Sequence, residues 1–237
     1  MQTKLSDDKK NQIRENINHI RDKIKETSGD REVTFLCATK THDAETINFA
    51  TQQCGITDIG ENRVQELMDK YDALNLNGVN LHFIGTLQTN KVKYIIDKVC
   101  MIHSVDSVKL AAEIDRQAKK HNLVMDILIE INIGREESKS GIMPENFEGF
   151  VDEISKFENI RVRGIMVIGP ICAEREEYKQ YFEKTYHFFI DTLPKKIYNI
   201  QKPVLSMGMS DNYDIACECG STLVRVGTSV FGKRDYN

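Results

Sequence analysis

Val33-Thr34-Phe35-Leu36-Cys37-Ala38-Thr39-Lys40-Thr41-His42 is the stretch on which the fold turns. Its first seven residues are rich in β-branched and apolar types and predict a buried strand; Lys40 arrives as that strand ends. Residues 43–55 then change period. Ile47, Ala50 and Cys54 fall on one helical stripe, and Gly55 stops it. An ammonium at the C-terminal end of a buried strand faces the crevice where ligands bind in barrels and in open α/β sheets. Desolvation there lowers the pKa of a lysine and frees its amine to form an imine with a carbonyl compound. The same residue also reads as a surface lysine closing a strand, so the rest of the chain has to decide.

Outward from this stretch the alternation continues. On its N-terminal side, Ser6-Asp7-Asp8 opens a helix whose stripe is Ile13, Ile17, Ile20 and Ile24 and which ends near Gly29. On its C-terminal side, short strands are predicted at 57–60, 81–85, 101–105, 124–133, 161–168, 203–206 and 222–226. Between them lie helices starting at Glu61, near Gln88, after a cap at Asp106 and at Pro144 with Phe147, Phe150, Val151, Ile154 and Phe157 inward, then a long helix running up to Leu193 and a short one from Asp211. Strict βα alternation implies parallel strands with crossover helices, wound on both sides of an open sheet or closed into a barrel. About eight units in 237 residues fit the barrel better. The expectation is a single (β/α)8 TIM-type barrel domain over residues 1–237, with residues 1–29 an added N-terminal helix packed on it.

Composition narrows the function classes. With 40% hydrophobic and 29% charged residues the chain has material for a substantial core. A net charge of −4 gives no global case for nucleic acid or an anionic membrane. Residues 1–14 lack the apolar core of a secretory signal, and the apolar runs fall well short of the ~20 residues that span a bilayer. The six cysteines, with Cys217-x-Cys219 the only close pair, read as reduced cytosolic thiols without metal spacing. The expected compartment is the cytoplasm. The charged outer face of the N-terminal helix offers no clear dimer patch, so a monomer is expected.

In a barrel, every strand would end at one mouth, bringing together Lys40, Asn62, Gly85, Ser104, Asn132, Gly169, Ser206 and Arg225. Leu205-Ser206-Met207-Gly208-Met209-Ser210-Asp211 and Arg225-Val226-Gly227-Thr228-Ser229 place small and hydroxyl residues between a strand and a helix. Free amides and hydroxyls of this kind make an anion site, and phosphate sites recur after strands seven and eight of such barrels. Ordinary helix caps are the competing explanation. Arg225 shares strand parity with Leu223, so it points inward, either at a ligand or into an ion pair with Glu130 or Asp126.

Six motifs carry a family resemblance: Ala38-Thr39-Lys40-Thr41; Gly60-Glu61-Asn62-x-Val64-Gln65-Glu66; His82-Phe83-Ile84-Gly85-x-Leu87-Gln88-x-Asn90-Lys91; Lys139-Ser140-Gly141-Ile142; Leu205 to Asp211 as quoted; and Val224-Arg225-Val226-Gly227-Thr228-x-Val230-Phe231-Gly232. Together they resemble the pyridoxal phosphate homeostasis protein family over nearly the whole chain. The resemblance implies a barrel similar to the N-terminal domain of alanine racemase, holding pyridoxal 5′-phosphate (PLP) as an imine. It implies Lys40 as the imine lysine, Ser210, Gly227 and Thr228 at the phosphate with Ser206 beside them, Arg225 facing the pyridine nitrogen, and Asn62 near the ring.

It also implies a role in PLP (vitamin B6) homeostasis and supply, with effects on amino-acid balance, and PLP-dependent apo-enzymes as recipients. A guanidinium beside the pyridine nitrogen cannot accept its proton, which weakens the ring as an electron sink. Alanine racemases tolerate this with a tyrosine from a second domain. Here the sequence stops at Asn237 after the last βα unit, and nothing positions Tyr213 or Tyr236 for that task, so a non-catalytic carrier is expected. The rivals are a PLP-dependent racemase-like enzyme and a Schiff-base aldolase acting on a sugar phosphate.

Overall fold

The structure, a computed structural model, describes residues 5–136, 139–170, 172–196 and 202–232. Among them, parallel strands β1 (Thr34–Ala38), β2 (Asp58–Glu61), β3 (Asn80–Phe83), β4 (Met101–Val105), β5 (Met125–Ile131), β6 (Ile160–Val167), β7 (Val204–Ser206) and β8 (Leu223–Val226) pair in chain order. β8 returns to β1, with Leu36 opposite Arg225 and Cys37 opposite Val226, so the sheet is a closed barrel and not an open one. The helices are α1 (Asp7–Ser28), α2 (Ala44–Gln52), α3 (Val64–Lys70), α4 (Val92–Ile95), α5 (Val108–Lys120), α6 (Phe147–Ile154), α7 (Arg175–Lys196), α8 (Tyr213–Glu218) and α9 (Thr228–Phe231). No helix of the described residues is long and apolar enough to cross a membrane.

Most of the apolar core lies between the strands and the helices. α1 begins where Ser6 Oγ accepts from the Lys9 amide, and it buries Ile13, Ile17, Ile20 and Ile24. Each such side chain contributes about 1.5–3 kcal/mol of transfer free energy, which holds α1 against α8 and α9. Asn16 Nδ2 donates to Val230 O at 2.9 Å, fixing the helix axially. Inside the barrel the separate apolar cluster is small: Leu36, Ala38, Ile84 and Leu223. Buried polar side chains, among them His82, His103, Ser206 and Arg225, lie on the same strands.

Local chemistry moved several boundaries. Glu61 closes β2, opposite Phe83, and the helix starts only at Val64. The segment near Gln88 is a 3-10 turn (Thr89–Lys91) running into a single α-turn. Ser107, not Asp106, caps α5; its Oγ accepts from the Leu110 amide at 3.4 Å. Pro144 opens a 3-10 turn before α6. α8 starts at Tyr213, because the Asn212 side chain takes the Met209 amide and keeps 209–212 in a turn.

Candidate functional site

Lys40 follows β1 and is half-buried, lining a cleft of about 310 Å³ with Asn62, Glu66 and Gly85 among its walls. That volume is at the lower end for small-ligand pockets. The chain turns sharply after Lys40. Thr41 sits at φ 68°, a left-handed conformation costly for a β-branched residue, and its amide is held by Glu66 Oε1. Lys70 reaches over from α3 and donates to the carbonyls of Thr39 (3.1 Å) and His42 (2.9 Å). The same ammonium pairs with Glu61 at 2.8 Å and Glu66 at 3.0 Å. Glu61 is fully buried and also accepts from Thr39 Oγ1; burial pushes its carboxyl up against the pull of Lys70. The segment carrying Lys40 is thus clamped by charges 21 and 30 positions downstream of the lysine.

Behind the turn, His42 lies on Phe231 with ring centroids 4.1 Å apart. Burial, then Lys70 and Lys9, depress it to about 4, so it is neutral at ordinary pH. Asn62 presents a buried Oδ1 with no hydrogen-bond partner. Gly85 is required beside it, since a Cβ there would stand 2.1 Å from the Asn62 carbonyl oxygen. Ser104 and Asn132, two of the expected mouth residues, instead brace the rim. Ser104 Oγ donates to Gly85 O at 2.6 Å, and Asn132 Nδ2 donates to the carbonyls of Glu136 and Lys139.

A second group of residues comes from β7 and β8, the latter paired directly with β1. Arg225 is buried, and its guanidinium donates to Ser206 O (3.0 Å), Ser206 Oγ (2.7 Å) and Val167 O (2.9 Å). The ion-pair alternative is not found: Asp126 pairs with Arg161 at 2.6 Å and Arg163 at 3.6 Å, and no carboxylate of the described residues pairs with Arg225. Burial lowers Arg225 to about 10, partly opposed by Glu130 and Tyr181, and leaves it cationic. Burial and Asp106 raise Glu130, on β5, to about 7.

Ser210 Oγ accepts from the amides of Gly227 (3.2 Å) and Ser229 (3.3 Å), and Ser229 Oγ donates back to Ser210 O. Two backbone donors therefore converge on one point. A Cβ on Gly227 would lie 2.8 Å from Ala38 O, so glycine lets this cradle pass close to the strand that delivers Lys40. Thr228 is exposed in the first turn of α9. Lys40 and Asn62 thus share one cleft, Ser206 and Arg225 form one hydrogen-bonded unit, and Ser210 and Gly227 form another, with Thr228 next to it.

The family model for the alanine racemase N-terminal domain matches residues 9–235. The pyridoxal phosphate homeostasis protein of Aquifex aeolicus is 44% identical over 208 residues, covering 88% of this chain and 90% of that protein. The chain belongs to this family. The pyridoxal phosphate homeostasis protein of Escherichia coli (strain K12) is 34% identical over 235 residues, covering 96% of this chain and 99% of that one. PipY of Synechococcus elongatus, in its structure with PLP bound, superposes with a TM-score of 0.81 at 29% identity, over 93% of this chain and all of that one.

Several members of the site are absent from the sequence reading. The Lys70–Glu61–Glu66 clamp escaped it although Glu61 and Glu66 stand in a family motif, because what Lys70 clamps, the carbonyls of Thr39 and His42, lies about 30 residues away in the chain. Tyr181, in mid-α7, has a buried hydroxyl without a hydrogen-bond partner, and its ring packs on Gly169. His82 and His103 carry inward strand parity, the signal that singled out Arg225, and a parity count would have found them. Tyr213 lies in the outer core and Tyr236 outside the described residues.

Proposed function

We propose that this chain binds PLP at the barrel mouth, held covalently by Lys40, and that it carries and supplies PLP in the cytoplasm without turning over a substrate. The observation that carries the reading is the closure of β8 onto β1. It sets the Ser210–Gly227 cradle against the strand that ends in Lys40. The residues fit the cofactor. Converging amides at Gly227 and Ser229 suit a phosphate, and the orphaned Asn62 Oδ1 supplies an unsatisfied polar atom in the same cleft as the amine.

When bound, PLP supplies an aldehyde for a bond to an amine and an electron-withdrawing ring. In this reading Lys40 provides the amine, Ser210, Gly227 and Thr228 bind the phosphate, and Asn62 lines the ring pocket. Arg225, steadied by Ser206, donates to the ring nitrogen. A cationic guanidinium leaves that nitrogen unprotonated and so suppresses carbanion chemistry. In this reading Lys40 is the proton-moving group at the cofactor, whereas racemisation needs a donor and an acceptor on two faces. A monomer that hands PLP to apo-enzymes, with consequences for vitamin B6 and amino-acid balance, follows from this reading.

The test is an absorbance titration. Adding PLP to the protein should produce an imine band in the wild type and none in Lys40→Ala. A wild type without the band, or a Lys40→Ala protein that retains it, overturns the assignment. Deuterium exchange at Cα of single L-amino acids, if catalytic, would replace the carrier reading with the racemase-like one.

A further inference from the structure

Beneath the mouth, a file of polar side chains crosses the barrel lumen from its floor to Arg225. Asp58, at the start of β2, is 3.1 Å through Oδ1 from His82 Nε2. His82 Nδ1 is 3.0 Å from His103 Nε2, the two rings meeting edge to face at 86°. His103 Nδ1 is 3.5 Å from Ser206 Oγ, the oxygen that accepts from Arg225 at 2.7 Å. β4 and β7 are not neighbours in the sheet, so the link between His103 and Ser206 spans the lumen. Both histidines, Ser206 and Arg225 are buried.

Starting from the carboxylate, donor–acceptor chemistry gives one consistent set of hydrogens along this file. Burial alone would raise Asp58, but hydrogen bonds from His82, Thr57 and Asn80 outweigh it and hold the carboxyl below its usual range. An ionised carboxylate only accepts, so His82 carries its hydrogen on Nε2. In an imidazole whose one hydrogen is on Nε2, Nδ1 accepts, so across the 3.0 Å contact His103 donates from Nε2. Burial, with Arg225 adding to it, holds His103 neutral, so its Nδ1 accepts in turn and takes the Ser206 hydroxyl hydrogen. The Ser206 oxygen then turns its lone pairs to the guanidinium. All the bonds run in one direction, from the cation at the mouth to the anion at the floor.

We infer that His82 and His103 are positioning residues for Arg225: through Ser206 they fix the posture of the guanidinium without touching the ligand site. The consequence for the cofactor rests on the PLP reading above, whereas the direction of the file does not. If Ser206 turned its hydroxyl hydrogen toward Arg225, the guanidinium would lose one of its three acceptors and settle differently at the mouth. The file therefore sets how firmly Arg225 is offered to whatever binds there.

Two measurements test this. In cofactor-free protein with 15N-labelled histidine, long-range proton–nitrogen spectra at about pH 8, above the ordinary histidine range, should show both His82 and His103 as Nε2–H tautomers. An Nδ1–H tautomer at His103, or a doubly protonated His82, overturns the assignment. With PLP, His103→Phe should keep the imine band but shift its maximum and weaken binding about fivefold, the equivalent of one lost hydrogen bond. Ser206→Ala should do the same, and the double variant should be no worse than Ser206→Ala alone. His103→Gln, which keeps an acceptor, should recover part of the shift. An unchanged spectrum and affinity in folded His103→Phe overturns the positioning role. If His103→Phe does not fold, the tautomers and Ser206→Ala decide. A wild type that forms no band at all refutes the PLP reading and leaves the tautomer result standing.

Discussion

The rim made by β1, β2 and α3 holds its lysine by charge, whereas the rim made by β7 and β8 holds its arginine and its anion cradle by hydrogen bonds to neutral groups. On the first rim, Lys70 ties together Glu61, Glu66 and the carbonyls on both sides of Lys40. On the second, Arg225 leans on carbonyls and a serine, and the Gly227 and Ser229 amides rest on the Ser210 hydroxyl. A buried ion-pair network is expensive to rearrange, because removing one member strands another charge. Amides bonded to a single hydroxyl exchange it for a phosphate oxygen at little cost. One wall is therefore fixed and the other adaptable, a pairing suited to a ligand that must both stay and leave.

The contrast can be broken from either side. The largest effect is the loss of the imine band in Lys40→Ala. Next, Lys70→Met should destabilise the fold by about 3–5 kcal/mol in urea unfolding, since the Glu61 carboxylate loses its counter-charge. A loss below about 1 kcal/mol would mean that the clamp does not hold the fixed wall. Glu130 gives a pH signature. Its folded pKa is raised from 4.5 to about 7, so its contribution is fully present below the unfolded value and is lost as pH rises through about 7. Relative to Glu130→Gln, the wild type should lose up to about 3 kcal/mol across that window, read from urea midpoints at matched pH. Parallel curves for the two proteins would contradict it.

The adaptable wall should respond more mildly. Arg225→Gln should weaken PLP by about 2 kcal/mol and alter the imine spectrum, because a charge-assisted hydrogen bond is replaced by a neutral one. An unchanged spectrum and affinity would count against contact with the ring. Ser210→Ala removes one hydroxyl from the cradle and should cost about 1 kcal/mol, or roughly fivefold in affinity, as read by titration. A loss as large as that of Arg225→Gln would show that this wall is not adaptable in the way its neutral bonds imply.

The barrel was legible because each strand and helix declares its own period, and because eight βα units suit closure. Boundaries slipped where two residues compete for one role, as Asp106 and Ser107 do for the α5 cap. The position of Lys40, Arg225 and the Ser210–Gly227 loops at strand ends was legible because each lies within a short motif where a strand closes. The clamp and the histidine file were not, because their bonds join residues far apart in the chain, such as Thr39 with Lys70 and His103 with Ser206. Local sequence records that Glu61 or His103 is present; only the closed barrel decides what each one meets.

The central claim is that the amine of Lys40 is the one that captures PLP. Reduction of the PLP-loaded protein with borohydride, followed by peptide mass mapping, tests it directly. The account predicts a phosphopyridoxyl adduct on the peptide containing Lys40. An adduct confined to other lysines, with Lys40 unmodified, would contradict it.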